Sequence, residues 1–396
     1  MKRLSNGEFD ISIKTLQYLE PILEQELRDL GATDITIGKR IVHTKGDLQF
    51  LYKCNLHLRT ALRVLVPLID FTSDSPDHLY NQFKKFPWDT VLNLDQTFAI
   101  DAAVHSSVYN LPHFAALRAK DALVDYFKDR YNERPNVDKD DPDVRFLLHI
   151  DENKVTLSLD SSGESLNRRG YRTSGAGAPL NEVLAAAMIL MTGWKGETPF
   201  VNPMCGSATL AIEAAFIATN KPSCWNRERF GFMTWKDFEV ESWKEILRDA
   251  IQEFKPLKHL IHASDVDHKA LRAAKANIIE AELRDEIVLE QADFFDMNKM
   301  SEGGVIVVNP PYGERMDDQQ TEFLYKRIGD QFKHQWSGYT AWLISSNMRA
   351  LKNVGLRPFK KFNVMNGQLE CKFQGYELFR GDRAEFVRTR KEGQDQ

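Results

Sequence analysis

The feature that most limits the fold of this 396-residue chain is the pattern of its second half, where short, continuously apolar runs alternate with helix-length segments. FVNPMC precedes TLAIEAAFIA, LIHASDVD precedes HKALRAAKANIIEA, EIVLEQAD follows, GVIVVNPP precedes EFLYKRIGDQF, and YTAWLISSN closes the series. A strand covered on both faces must be apolar at nearly every position. Such runs separated by helices therefore predict an α/β fold built on a parallel, doubly wound sheet. FNVMNGQLECKFQGYELF then sets Asn366-Gly367 between two strand-like runs, which predicts a hairpin and an antiparallel end to that sheet.

The first 160 residues follow another rule. FDISIKT alternates like a half-buried strand, and Leu19, Ile22, Leu23 and Leu27 recur at helical spacing up to Gly31, a residue suited to a helix C-cap. Strands are expected near Ile35 to Ile37, Ile41 to His43 and Asp47 to Tyr52. A helix is expected over Pro76 to Phe86, a strand over Thr97 to Val104, and a long helix over His113 to Tyr131. RFLLHIDENKVTLSLDSS reads as a hairpin turning at Asp151 to Asn153. This is a mixed α+β region, and the Gly/Arg/Ser-rich stretch between Ser161 and Pro179 reads as a linker to the second half.

Composition removes several classes. At 42% hydrophobic residues the chain can bury packed cores, and no apolar run approaches the roughly 20 residues of a membrane span. The start, MKRLSNGEFDISIK, has no apolar segment behind its basic residues, so a soluble, cytoplasmic protein is expected. Cys54, Cys205, Cys224 and Cys371 form no CxxC pair and the histidines show no ligand spacing, so reduced thiols and no metal are expected. The net charge of −5 argues against coating by nucleic acid. Basic charge is local: Lys352 to Lys391 holds ten basic and four acidic residues, and Arg168, Arg169 and Arg172 form a second cluster, suited to phosphates or to solvation alone.

In an open parallel sheet a ligand sits at the carboxyl ends of the strands, and four such ends are polar here. The first is NPMCGSATLAIEAA, where Asn202 and Pro203 lead into a tight turn of Cys205, Gly206, Ser207, Ala208 and Thr209 before a helix. Small residues admit a cofactor to the backbone, and a helix N-terminus favours an anion. A plain strand-to-helix turn gives the same letters, and the GxGxxG spacing of a dinucleotide site is absent. Cys205 reads as a wall thiol, since no partner histidine is identifiable. The second end is Asp265-Val266-Asp267: Asp265 suits both hydroxyls of a ribose, whereas Asp267 suits the N-cap of the next helix. The third is Asp293, whose carboxylate could accept from an adenine amine while Phe294 or Phe295 packs on the ring.

The fourth end, VIVVNPPYGER, is the most specific. Two prolines remove two backbone donors and stiffen the chain, so Asn309 and the Pro310 carbonyl become fixed acceptors just past a buried strand. Such a pair can hold an exocyclic NH2 and turn its lone pair toward an electrophile, while Tyr312 offers a ring for stacking, worth roughly 1–3 kcal/mol per base. A proline-terminated strand with a glycine turn is the bland alternative. The four ends together suit transfer of an activated methyl group, a reaction that needs position and exclusion of water and no metal.

In order and setting, LDSSGESLNRRGYR, NPMCGSATLAIEAA, SDVD, NPPYGER and NGQLECKF resemble the THUMP-containing methyltransferases that modify guanine at its exocyclic amine in bacterial 23S ribosomal RNA. The resemblance covers essentially the whole chain. It implies a ferredoxin-like subdomain over residues 1–65, a THUMP RNA-binding domain over 66–162, a linker over 163–180, and a Rossmann-like S-adenosylmethionine-dependent methyltransferase domain over 181–396 with seven strands. By the same resemblance, Gly206 and its neighbours hold the methionine part of the cofactor, Asp265 its ribose, Asp293 its adenine, and Asn309 to Tyr312 the base. The first turn departs from the family's usual Asp and Gly-Ser-Gly in carrying Asn202 and Ala208. Some relatives have a second methyltransferase domain; with the chain ending at Gln396, a single modification is expected.

The leading expectation is thus methylation of guanine N2 in RNA, as 23S rRNA or a large-subunit assembly particle, with Arg168, Arg169 and Arg172 on phosphates. Adenine in RNA or DNA is the alternative, since the Asn-Pro-Pro-Tyr clamp does not by itself separate the purines. A non-catalytic RNA-binding or assembly protein is the alternative of another class. The residues give no oligomeric state.

Overall fold

The computed structural model describes residues 7–109, 111–172, 180–311 and 318–379. The chain groups into two compact units that do not follow chain order strictly: the first takes in Leu23–Leu166 together with Arg227–Asp249, and the second Asn167–Asn226 with the residues from Ala250 onward.

In the first unit, β1 (Phe9–Thr15), β2 (Thr36–Gly38), β3 (Ile41–Gly46), β4 (Ala61–Thr72), β5 (Thr97–His105), β6 (Asn136–Val137), β7 (Val144–Asp151) and β8 (Lys154–Asp160) form one sheet. Its order is β2-β3-β1-β4-β8-β7-β5-β6, antiparallel except where β5 runs beside β6 and β7. The helices α1 (Glu20–Asp29), α2 (Leu48–His57), α3 (Pro76–Lys85) and α4 (Pro112–Tyr131) interrupt it in sequence. The long strand β4 pairs β1 on one side and β8 on the other, so a single sheet runs through both expected N-terminal domains. Alternation sets its faces: Ile13 stands opposite Val42 and Val64, all fully buried, while the neighbouring pairs Ser12–His43 and Lys14–Arg63 point to the other side.

One expected element is overturned. Asp47 to Tyr52 is not a strand; Asp47 caps α2 by accepting the Phe50 N–H at 2.8 Å. The alternation of Leu48, Phe50 and Tyr52 imitates a strand, but Leu48, Leu51, Tyr52 and Leu56 are the buried set, and that spacing is helical. Sequence reading also passed over Arg227–Asp249. This segment brings Phe230, Phe232, Phe238 and Trp243 into one aromatic cluster around Tyr52, while the Arg227 guanidinium donates to the carbonyls of Ser162, Glu164 and Ser165.

In the second unit, β9 (Phe200–Pro203), β10 (Ile261–Asp265), β11 (Ile287–Gln291), β12 (Gly304–Val308), β13 (Tyr339–Ser345), β14 (Lys360–Asn366) and β15 (Leu369–Glu377) form a sheet of order β11-β10-β9-β12-β13-β15-β14. The first five are parallel, and the β14–β15 hairpin, turning at Asn366-Gly367, closes the sheet antiparallel to β13. The helices are α5 (Glu182–Thr192), α6 (Thr209–Ala218), α7 (Val240–Gln252), α8 (His268–Glu280), α9 (Asp318–Gln335) and α10 (Met348–Asn353). Of these, α7 begins within the segment that groups with the first unit. Central strands are buried along almost their whole length, as the apolar runs require. The fold is the expected Rossmann-like one, preceded by an α+β region.

Candidate active site

Strand order reverses between β9 and β12, and at this switch point the carboxyl ends of β9 to β12 surround a cavity of about 700 Å3. After Pro203 the chain turns with Met204, Gly206 and Ala208 all at positive φ, 55°, 57° and 63°. Two bonds strap this turn to the end of β10: Cys205 N–H donates to the Ser264 carbonyl at 2.9 Å, and Gly206 N–H to Asp265 Oδ2 at 2.8 Å. A Cβ at Gly206 would meet nothing within 4 Å, so the bare backbone leaves the cavity wall open there. Ala208 stands in the N-cap position of α6 and supplies no side-chain bond to the helix. An L-residue in that left-handed conformation costs about 1–2 kcal/mol relative to glycine.

Asp265 also accepts the Asp267 N–H through Oδ1 at 3.0 Å, which fixes its carboxylate at the cavity edge while each oxygen keeps a lone pair for a ligand hydroxyl. Asp267 takes the bland role expected of it and caps α8 through Lys269 N–H, although it also lines the cavity. Val266 is exposed beside them. Asp293 accepts the Phe295 N–H through Oδ1 at 3.0 Å. The structure separates the two phenylalanines: Phe294 is 2% exposed and packs on Trp336 and Phe332, whereas Phe295 lines the cavity with the Arg327 guanidinium 3.6 Å from its ring centroid. Phe294 also lines the cavity, with most of its ring packed into the core.

Burial, and then the Asp265 carboxylate, push the Cys205 thiol up to about 12. It stays protonated, as a wall residue does and a nucleophile does not.

One wall of the cavity carries an orphaned acceptor. Asn309 lines the cavity, and its buried Oδ1 has no hydrogen-bond partner among the described residues. Asn202, one strand away, repeats the pattern: its Nδ2 donates to the Val307 carbonyl at 2.9 Å, which orients the amide and leaves the buried Oδ1 without a partner among the described residues. An unsatisfied buried acceptor costs about 1–3 kcal/mol, so the Asn309 oxygen in the cavity wall asks for a donor from a ligand, whereas Asn202 is not among the lining residues. The residues therefore fit S-adenosylmethionine and an amine: open backbone at Gly206, a carboxylate at Asp265, an aromatic wall at Phe295 and a waiting acceptor at Asn309. Pro310 is buried, and Pro311 rather than Pro310 lines the cavity. Asn202, Pro203 and Ala208 lie behind the cavity wall. Tyr312 lies outside the described residues.

The arginine cluster is not what its sequence suggests. Arg169 is fully buried with its Nε 3.5 Å from Glu213 Oε1, and the Tyr171 hydroxyl donates to the same oxygen at 3.1 Å. Arg172 pairs with the buried Glu182 at 2.6 Å and donates to Thr209 Oγ1 at 3.2 Å. Neither is placed to meet a phosphate. RRGYR anchors the chain to α5 and α6, and of the three arginines only Arg168 is exposed. Sequence reading missed Phe295's partner Arg327, and it missed Ala270 and Ala273, whose spacing of three on α8 puts two small side chains on the cavity wall.

Residues 169–374 match the family described as "RMKL-like, methyltransferase domain", 73–160 a THUMP domain and 10–65 an RlmL ferredoxin-like domain. The chain is 38% identical over 374 residues to a ribosomal RNA large subunit methyltransferase K/L of Syntrophotalea carbinolica, covering 91% of this chain and 52% of that protein. It is 37% identical over 363 residues to a putative RNA methyltransferase of Synechocystis, covering 91% of this chain and 94% of the other. The chain thus spans about half the length of the K/L relatives it matches and nearly all of the Synechocystis protein. A crystal structure of a putative methyltransferase complexed with SAH superposes with a TM-score of 0.87 at 26% identity, covering 96% of this chain and 100% of that one.

Proposed function

The chain belongs to the RMKL-like methyltransferase family, and from that premise we propose that it transfers a methyl group from S-adenosylmethionine to N2 of a guanine in RNA, 23S rRNA in particular. The observation that carries the reading is the buried Asn309 Oδ1 in the cavity wall, which has no hydrogen-bond partner among the described residues. When bound, the cofactor supplies a methyl group activated on a sulfonium. The chain's own residues do the rest by position. Asp265 takes the ribose hydroxyls, Phe295 flanks the adenine beside Asp293, and the bare turn at Gly206 admits the methionine part.

Asn309 Oδ1, with the Pro310 carbonyl beside it, accepts hydrogen bonds from the target amine. Holding both hydrogens out of the path leaves the nitrogen lone pair as the group aimed at the methyl carbon, and the surplus proton departs after transfer. A paired, stacked base cannot present its amine this way, so the substrate nucleotide is unpaired or extruded. Arg168 is the one member of the arginine cluster retained for a phosphate.

Mass spectrometry of ribosomal RNA nucleosides from cells with and without the gene tests the whole reading. Loss of one N2-methylguanosine is expected. Loss of a methylated adenosine instead overturns the choice of base, and an unchanged nucleoside profile overturns the reading.

A further inference from the structure

The Arg327 guanidinium stands 3.6 Å from the centroid of the Phe295 ring, and the methyl-transfer reading gives it no task. We infer that Arg327 is a positioning residue for the cofactor: stacked on the back of Phe295, it holds that ring in place with its other face open to the adenine. The inference rests on the proposed function in seating the adenine on Phe295.

Three observations carry it. Phe295 lines the cavity and Arg327 does not, so the cation lies on the side of the ring away from the ligand space. Its distance is the shortest of the cation–ring contacts among the described residues, the others lying at 4.6 to 5.8 Å. No hydrogen bond or ion pair joins the guanidinium to any described residue. An exposed arginine commonly reaches for a carboxylate or for water, whereas this one lies flat on an aromatic face.

The helix that carries Arg327 shows why the ring needs such a support. Leu324, Arg327 and Gln331 recur on α9 at spacings of three and four, so they share one side of it. Leu324 lines the cavity, and Gln331 Nε2 donates to the carbonyls of Phe294 at 2.9 Å and Met297 at 2.7 Å. Asp293 Oδ1 accepts the Phe295 N–H from the other end of the same turn. The backbone of the turn is therefore fixed twice, and Phe294 is fixed by Phe332 and Trp336. Phe295 is only partly buried, and its ring neighbours are Phe294, 5.7 Å away and tilted by 52°, and Arg327. Without the cation the side chain is free to change rotamer and turn an edge to the adenine. With it, one negative face of the ring is engaged and the opposite face stays set for stacking.

Calorimetry with S-adenosylhomocysteine on the full chain tests the proposal through a double-mutant cycle. Arg327→Met, at an exposed helical position where methionine is well tolerated, should raise the dissociation constant about three- to tenfold. Arg327→Lys, which keeps a cation over the ring, should recover most of the loss. Phe295→Ala should also weaken binding, and adding Arg327→Met to it should change the affinity by less than about twofold, because Arg327 acts through the ring alone. In steady-state methylation by Arg327→Met, the KM for S-adenosylmethionine should rise with kcat within about twofold, as lost ground-state binding requires. Weakening by Phe295→Ala with none by Arg327→Met overturns this inference and leaves the adenine seat standing. Unchanged affinity in Phe295→Ala removes the seat and the inference together. Fully additive losses place Arg327 on the ligand itself, and weakened RNA binding with unchanged S-adenosylhomocysteine affinity places it on a phosphate; either overturns the positioning role.

Discussion

The two sheets solve opposite problems, and their differences explain where each can hold a ligand. Five of the seven strands of the second sheet are parallel and its central strands are buried on both faces, so those faces are closed to ligands and its chemistry collects where the strands stop. Asn202, Asp265, Asp293 and Asn309 all stand at or just beyond strand ends. The eight-stranded sheet is largely antiparallel and buried on one face only. The residues of its open face lie along the strands, at every second position. A parallel sheet thus offers a site at a point, suited to one reacting atom. A half-exposed sheet offers a surface, suited to a polymer.

This contrast breaks if variants at strand ends and variants on the open face behave alike. The largest effect is expected from Asn309→Ala, which should lower methyl transfer about 100-fold or more while S-adenosylhomocysteine affinity stays within about twofold, because Asn309 is assigned to the amine alone. Single-turnover kinetics alongside calorimetry check this, and equal loss of both would reassign Asn309 to the cofactor. Asp265→Ala should weaken S-adenosylhomocysteine roughly 10- to 100-fold, since it removes the strap to Gly206 and the acceptor proposed for the ribose. Calorimetry that returns the wild-type dissociation constant removes its ribose role. In neither variant should the affinity for single-stranded RNA fall by more than about twofold.

Smaller effects sharpen the picture of the strand-end turn. Ala208→Gly relieves a left-handed alanine at φ 63° and should stabilise the protein by about 1 kcal/mol, raising the midpoint of thermal unfolding by about 2–4 °C. A lower midpoint would mean that the alanine methyl contributes more by packing than it costs in strain. The smallest change is expected at Cys205, whose thiol is held protonated to about pH 12. Cys205→Ala should leave methyl transfer within about threefold, and the wild-type rate should show no thiol ionisation below pH 10. Rapid alkylation of Cys205 by iodoacetamide at pH 8 contradicts the burial that raises it.

Much of the candidate site was legible because strand ends in a parallel sheet announce themselves. VIVVN passes from apolar to polar within one residue and LIHASD ends on a carboxylate, and the sheet geometry then brings those ends together without any contact having to be known. RRGYR was misread for the opposite reason. Arginines in a polar stretch look solvated, and only α6 supplies the Glu213 that draws Arg169 out of solvent, 44 positions away in the chain. The same holds for Phe294 and Phe295, adjacent and chemically identical. Both line the cavity, and which ring packs mainly into the core depends on where Trp336 and Arg327 arrive from α9 and the turn beyond it.

Local order was set by the sequence itself, because a period of two or of 3.6 and a proline or glycine at a turn act within a few residues. This covers the parallel sheet with its hairpin end, the alternating first strands, and the acceptors after β12. Tertiary structure decided what depends on partners distant in the chain: that Asp47 starts a helix packed under a sheet, that 227–249 groups with the first unit, that two of three arginines are anchors, and that Lys14, Lys39, Arg40 and Arg63, from three segments, line one cavity. Burial and charge pairing are sums over neighbours, and the chain does not carry its neighbours until it has folded.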